Sequence, residues 1–330
     1  MTGFFPTRRM LTSKGGEQSG WHEQASDAAR ETFGRGVYVR GVVEVSNYCR
    51  ENCDYCGMRR DNRALERHRA KFEELAELLV HHCPVSITDI NFQTGEDPVA
   101  ARQIVLPLVR LLKEQTNLGV SVCLGTLDET FYQELKDAGA WMYILKFETS
   151  DAAHYSGMHS PGTLKEREEH IRKLASDGWF VSSGFIAGLP EQGIEALIGN
   201  FRFAASLPLM GCSVSPFIPG EATPLAGTPA GDLDLTLNSM AALRLMNPAW
   251  VIPAVSALNL GADSEGYVRG LRAGANLCTI NLTPGDLRDN YLLYRRDRYI
   301  MNEERILNAI EEAGLHPSTE SMVSLQALKE

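Results

Sequence analysis

The chain has 330 residues, 44% of them hydrophobic and 22% charged, with a formal net charge of −10. This is ordinary globular composition. The negative balance excludes a general binder of nucleic acid or of anionic membrane, both of which need a basic surface. No run of about eighteen apolar residues is present, so no membrane span is predicted, and Arg8-Arg9 lacks the apolar stretch of a Sec or twin-arginine signal. Seven cysteines, three of them close together, suit metal ligation in a reducing cytoplasm better than disulfides.

Residues 1–20 are polar and without periodicity, which predicts a mobile or loosely docked tail running into a lead-in helix, 1–36 in all. From Val37 short β-branched runs alternate with amphipathic stretches. Predicted strands are Val37–Val45, Val85–Phe92, Gly119–Leu124, Trp141–Phe147, Phe180–Ala187, Cys212–Phe217, Trp250–Val255 and Leu277–Leu282. Between them the spacing predicts helices at Phe72–His82, Val99–Gln115, Glu129–Ala138, Leu164–Asp177, Ile194–Leu207, Leu235–Met246, Glu265–Ala273 and Asn302–Ala313. Ala-Gly at 138–139, 273–274 and 313–314 and Asp-Gly at 177–178 suit helix C-termini. Eight strand–helix units predict an α/β fold, a single TIM-type (β/α)8 barrel over 37–316, with 317–330 as a C-terminal tail. An open doubly wound sheet is the alternative, since alternation alone does not establish closure. Either fold gathers ligands at the C-terminal strand ends.

The first strand ends at Cys49, Cys53 and Cys56, spaced C-x3-C-x2-C. Three thiolates on a short loop hold three irons of a [4Fe-4S] cluster and leave the fourth open to a small chelating molecule. The bland alternative is a zinc site completed by Cys83, His68, His81 or His82, but no second cysteine knuckle follows. The second strand ends Gln93-Thr-Gly-Glu-Asp-Pro98, where a glycine permits close backbone approach and Glu96 or Asp97 could accept from an ammonium group. An ordinary helix N-terminus explains the acids equally well. The fourth strand ends Lys146-Phe-Glu148, a charged alternation that fits polar ligand contacts or a structural ion pair. Arg167 on the following helix could reach a carboxylate, although a solvated arginine is the default. Gly184-Phe-Ile-Ala-Gly188-Leu-Pro-Glu191 could pack a flat base on backbone and on Ile186, or could mark a β-bulge. The basic clusters Arg59-Arg60, Arg63, Arg67, Arg69 and Arg295-Arg296, Arg298 are interleaved with acids and read as solvated faces.

The cysteine spacing, with Tyr55 before the last cysteine, and the four strand-end motifs in this order resemble the radical S-adenosylmethionine (SAM) superfamily. Over about residues 36–316, the segments Glu44–Asn62, Gln93–Pro98, Pro216–Pro219, Thr223–Leu225, Ile252–Ala254, Gly274–Asn276 and Asn281–Pro284 are similar to its biotin-synthase branch, and within that to the [FeFe]-hydrogenase maturase HydE and methylornithine synthase PylB groups. The resemblance implies cluster ligation by Cys49, Cys53 and Cys56. It implies SAM contacts from Tyr55, Thr94, Gly95, Glu96, Lys146, Glu148, Arg167 and Ile186: Glu96 and nearby backbone on the amine, Glu148 on ribose or amine, Arg167 on the carboxylate and Ile186 on adenine. Lys146 replaces a maturase arginine, a point charge in place of a fork. No catalytic residue beyond cluster and SAM is implied.

Substrate would lie deeper, near Thr94, Cys123, Ser182, Ser213, Ser256 and Asn281, small or uncharged positions that suit a modest thiol, amino acid or metal complex. An external one-electron donor of flavodoxin or ferredoxin type is implied. Ser213 and Ala257 stand where the methylornithine synthase grips its substrate with arginine and aspartate, which argues against lysine as substrate. Ser121 and Ser182 replace the second-cluster cysteines of biotin synthase, although Cys123, Cys212 and Cys278 could converge on an auxiliary cluster. The competing readings are an amino-acid mutase or lyase, a sulfur-inserting enzyme, and a non-catalytic zinc or iron–sulfur scaffold.

Overall fold

A computed structural model describes residues 3–260, 265–295 and 300–328. Arg296 and Arg298 lie outside the described residues. Seven parallel strands, β1 (Gly36–Ser46), β2 (Asp89–Thr94), β3 (Gly119–Cys123), β4 (Met142–Ile144), β5 (Phe180–Ala187), β6 (Gly211–Pro216) and β7 (Leu277–Asn281), are ordered β6-β5-β4-β3-β2-β1-β7. The edges are joined by the segment predicted as the Trp250–Val255 strand: Val251 bridges Gly211 of β6, and Pro253 bridges Leu277 of β7, both parallel. The sheet therefore closes, and the open doubly wound alternative is excluded. Helices fall on the predicted spans, Glu129–Ala138 to the residue, and the four predicted glycines end their helices at positive φ, Gly139 at 120°, Gly178 at 80°, Gly274 at 92° and Gly314 at 73°. Only glycine adopts that backbone without a Cβ clash.

Burial on both faces of β1 explains its near-continuous apolar run. Val37, Val39, Val43 and Val45 enter the layer between strands and helices. Arg40, Val42 and Glu44, on the opposite face of the pleat, line the barrel interior. The predicted Val85–Phe92 strand starts late, at Asp89, and Val85 is wholly exposed.

Two expectations need correction, one at each terminus. The N-terminal residues form helices Arg8–Leu11 and Gly15–Phe33, and Met10 and Leu11 are buried. Asn238 donates to the Leu11 and Ser13 carbonyls, both at 3.0 Å, and Lys14 pairs with Asp232 at 2.8 Å and Asp234 at 2.7 Å. A largely polar docking face leaves no apolar period to read. At the other end, β8 (His316–Pro317) pairs with the start of β1. Met322 and Leu325 pack with Tyr38, Trp141, Phe180 and Leu277 beneath the barrel. Asp89, at the foot of β2, accepts from the Met322 amide at 3.0 Å and Ser321 Oγ at 2.9 Å. The end remote from the strand termini is thereby stoppered.

Candidate active site

The loop after β1 carries the three cysteines, Cys53 buried and Cys49 and Cys56 half-buried. Arg67 holds the loop from within, donating to the carbonyls of Asn47 (2.5 Å), Met58 (2.8 Å) and Arg59 (2.6 Å). Asn47 ties it to Glu66 O and Asn290 O, both at 2.7 Å, and Gly57 N donates to Leu293 O at 3.2 Å. Arg59 ion-pairs with Asp54 at 2.9 Å and Arg69 with Asp97 at 2.7 Å. Arg59 and Arg67 are thus clamps, a correction to their reading as solvated charge; Arg69 grips Asp97 from an exposed position, and Arg60 and Arg63 are exposed as expected.

Burial raises all three thiols. Next in weight, Cys56 raises Cys53, and Cys49 raises Cys56, which is pushed up to about 12. Groups that perturb one another share a small volume, and a bound cation is what makes three buried thiolates tolerable. The Glu96 amide already donates to Cys49 Sγ at 3.3 Å. Among the described residues no three His, Cys, Asp or Glu side chains are set to hold a single metal ion. A cubane asks something different of its ligands, because each thiolate takes its own iron. The donor set fits such a cluster.

The Gly95 reading changes in detail. A Cβ there would run into the Tyr48 carbonyl oxygen and lie 2.9 Å from Cys49 Cβ, so the glycine lets β2 abut the cysteine loop. Thr94 is buried and its hydroxyl donates to the Gly95 carbonyl. Asp97 accepts from the Val99 amide at 3.2 Å and caps a helix, so for it the helix-terminus reading holds. Glu96 is held by Arg50 at 3.1 Å, Arg167 at 3.4 Å and the Thr126 amide at 3.2 Å. Arg167 is buried, donates to Tyr155 OH at 3.3 Å, and is no solvated arginine.

Glu148 is the most irregular residue of the mouth. Its φ of 59° lies in the left-handed region, which costs an L side chain about 1–2 kcal/mol. Its Oε2 is buried without a hydrogen-bond partner, and burial raises its pKa despite Lys146 and Arg167. A strained residue holding an orphaned acceptor marks a binding position. Its charge is felt at Cys53, Cys56, Tyr55 and Cys123, so it stands between the cysteine loop and the interior. Lys146 donates to Ser215 Oγ at 3.3 Å and is not in contact with Glu148, so the structural-ion-pair reading is not realised among the described residues. Ile186 clusters with Leu189 and Phe217, and Tyr55 and Leu225 pack beside them. β5 pairs with β6 without a register shift. On its other edge Phe147 N and Glu148 N both donate to Gly184 O at 3.0 Å, and Glu148 bridges Phe185 one residue out of the Ile144–Ser182 register, so a bulge-like irregularity lies on the segment that carries Glu148.

Beneath the mouth lies a cavity of about 1100 Å³, counting its open part, lined by Cys123, Ser182, Ser213, Ser256 and Asn281 as expected; Thr94 does not line it. Arg40, Glu44, Gln93, Lys146 and Tyr294 line it too, which corrects the expectation of small and uncharged walls. Arg40 donates to Thr279 Oγ1 at 3.3 Å, its Nε has no partner, and burial lowers its pKa. The missed signal is Arg40-x-Val42-x-Glu44, charge at period two within an apolar strand. Cys212 and Cys278 face outward into the apolar layer while only Cys123 lines the cavity. They do not converge, so the auxiliary-cluster geometry is contradicted. Ser121 is fully buried and donates to Asn91 Oδ1 at 3.0 Å.

A closed parallel barrel with a thiolate loop at its mouth and a polar shaft below defines an enzyme architecture. The chain belongs to the radical SAM superfamily, whose model matches residues 43–204. It is 33% identical over 82% of its length to the [FeFe] hydrogenase maturase subunit HydE of Thermotoga maritima, covering 77% of that protein. It is 27% identical over 91% of its length to the 3-methylornithine synthase of Methanosarcina barkeri, covering 86% of it. The crystal structure of methylornithine synthase (PylB) superposes with a TM-score of 0.84 at 24% identity, covering 99% of this chain and 97% of that one, and shows the same fold. The chain is thus a radical SAM enzyme similar to HydE and PylB.

Proposed function

We propose that Cys49, Cys53 and Cys56 hold a [4Fe-4S] cluster and that SAM binds beside it, in a HydE-like enzyme acting on a small molecule or metal complex in the barrel. Cluster and SAM together supply the reaction: one electron cleaves the S–C5′ bond to methionine and a 5′-deoxyadenosyl radical. The protein's part is binding, orientation and exclusion of water. Glu148 offers its orphaned oxygen to the SAM ribose or amine. Thr94, Gly95 and Glu96 present backbone to the amine, with the Glu96 carboxylate kept in place by Arg50. Arg167, turned inward by Tyr155, takes the carboxylate, and Ile186 with Tyr55 gives the base an apolar face. Lys146, in the cavity wall two residues before Glu148, would meet either SAM or the substrate.

Cys123, Ser182, Ser213, Ser256 and Asn281, with Arg40 and Glu44, would contact a substrate that carries charge. The barrel over 37–316 is the catalytic unit, and the described parts of the termini, 3–36 and 317–328, brace it. The reading places the protein in a reducing cytoplasm, supplied by a one-electron donor. The observation that carries it is the strained, orphaned Glu148 facing the cysteine loop. Anaerobic reconstitution followed by reduction with SAM present should release 5′-deoxyadenosine. A colourless zinc protein that leaves SAM intact would overturn the proposal.

A further inference from the structure

Of the seven cysteines, three form the loop at the mouth, and Cys83, Cys212 and Cys278 pack in the apolar layer outside the strands. Cys123, the last residue of β3, is the one thiol that lines the cavity. It keeps accessible surface although it lies deep in the protein, and the cavity supplies that surface.

Strand register sets its height. Cys123 is level with Gln93 of β2, Gln93 is level with Glu44 of β1, and Gln93 Nε2 donates to Glu44 Oε1 at 3.4 Å. On the other side Val122 pairs with Tyr143, which sets Cys123 beside Ile144, two residues below Lys146 and four below Glu148. Glu148 and Arg167 at the mouth, Lys146 between, and Arg40 beneath all act on the thiol electrostatically. Cys123 therefore stands midway between the mouth and the base of the shaft.

A second observation marks this level as occupied during function. Arg40, only 9% exposed, enters the same cavity, and its Nε has no partner. A buried donor without a partner is left for a group that arrives with a bound molecule. Guanidinium and thiol act on one another, so a molecule held by Arg40 extends toward Cys123. Burial, opposed by Lys146, raises the Cys123 pKa, and the sulfur keeps its proton at neutral pH. An S–H bond is weaker than an alkyl C–H bond, so a carbon radical takes that hydrogen downhill.

We propose that Cys123 is a catalytic hydrogen-atom donor that quenches a carbon radical held in the cavity. The inference rests on the radical reading above. The 5′-deoxyadenosyl radical takes a hydrogen atom from the substrate. Once the substrate radical has reacted, it takes the hydrogen from Cys123 Sγ, so that a C–H bond forms and the S–H bond breaks. The sulfur radical left on Cys123 then takes one electron from the external donor and one proton from water, which restores the thiol. In the absence of substrate the same thiol quenches the 5′-deoxyadenosyl radical directly.

The test therefore needs no substrate. The reconstituted enzyme is supplied with SAM and dithionite in deuterated buffer free of added thiol, and the 5′-deoxyadenosine is analysed by mass spectrometry. A thiol hydrogen exchanges with solvent and an alkyl C–H does not, so the wild type should form mainly singly deuterated product. In Cys123→Ala and Cys123→Ser the deuterated fraction of whatever 5′-deoxyadenosine forms should fall about fivefold or more, because an alcohol O–H is too strong to be donated. In the native metal-free protein, iodoacetamide should alkylate Cys123 ahead of Cys212 and Cys278. An undiminished deuterated fraction in Cys123→Ala overturns the inference, as does unlabelled product from the wild type. Loss of the label in Tyr294→Phe but not in Cys123→Ala overturns it too and assigns the donor to the phenol in the same wall. A Cys123 as protected from alkylation as Cys212 and Cys278 contradicts its place in the cavity. Absence of 5′-deoxyadenosine from the unaltered enzyme would instead overturn the cluster reading.

Discussion

The two ends of the barrel solve opposite problems. At the C-terminal strand ends the chain is glycine-dense, strained at Glu148 and crossed by buried charge: Arg167 and Glu96 are both more than nine-tenths buried. At the N-terminal ends Met322, Leu325, Trp141 and Phe180 close the shaft with apolar contacts, pinned by Asp89. Stability resides at the stopper and chemistry at the mouth, so substitutions at the two ends should separate folding from function.

The largest effect is expected at Cys56. Cys56→Ala should lose colour and reduce 5′-deoxyadenosine formation by about 10³-fold or more, with the thermal transition of the metal-free protein nearly unmoved. Gly95→Ala should also act at the mouth. Its Cβ collides with backbone rather than with a yielding side chain, so the cysteine loop must shift, and iron content after reconstitution should fall well below the wild-type value. Met322→Ala works at the other end, costing about 2–4 kcal/mol of stability in denaturant titration while iron content per folded chain is preserved. A loss of iron in that variant would erase the distinction between the two ends.

The smallest shift, and the most diagnostic, is at Glu148. Replacing it by glycine removes the left-handed strain and the orphaned carboxylate, so stability should rise by about 1 kcal/mol while SAM binding is lost. The pH dependence carries a sign. Burial raises the Glu148 pKa above its ordinary 4.5, so the wild type loses stability as pH rises through the raised value. The advantage of Glu148→Gln should therefore appear above that value and vanish below 4.5. An advantage independent of pH would assign the effect to packing.

The same division governs what the sequence alone discloses. Strands buried on both faces announce themselves as β-branched runs, and helix ends by glycines that need positive φ, so the eight-unit pattern was readable. Closure was not, because only the two bridges of Val251 and Pro253 establish it. Strand-end motifs marked the mouth, yet the motif pattern left open that Gly95 would serve the cysteine loop and that Glu96 would be held by two arginines. The interior charges Arg40 and Glu44 are masked by the valines that alternate with them along β1. Both termini looked like tails because the helix Gly15–Phe33 buries only Ala25 and meets Asn238 through the polar side chains of Gln18 and His22, and the stopper buries only Met322 and Leu325 of a short segment.

The most direct test of the central claim is electron paramagnetic resonance of the anaerobically reconstituted, reduced protein with and without SAM, alongside an iron count. The account predicts about four irons per chain and a reduced-cluster signal that shifts when SAM is added to the wild type but not to Glu148→Gly. One tightly bound divalent ion per chain, or a signal indifferent to SAM, would contradict it.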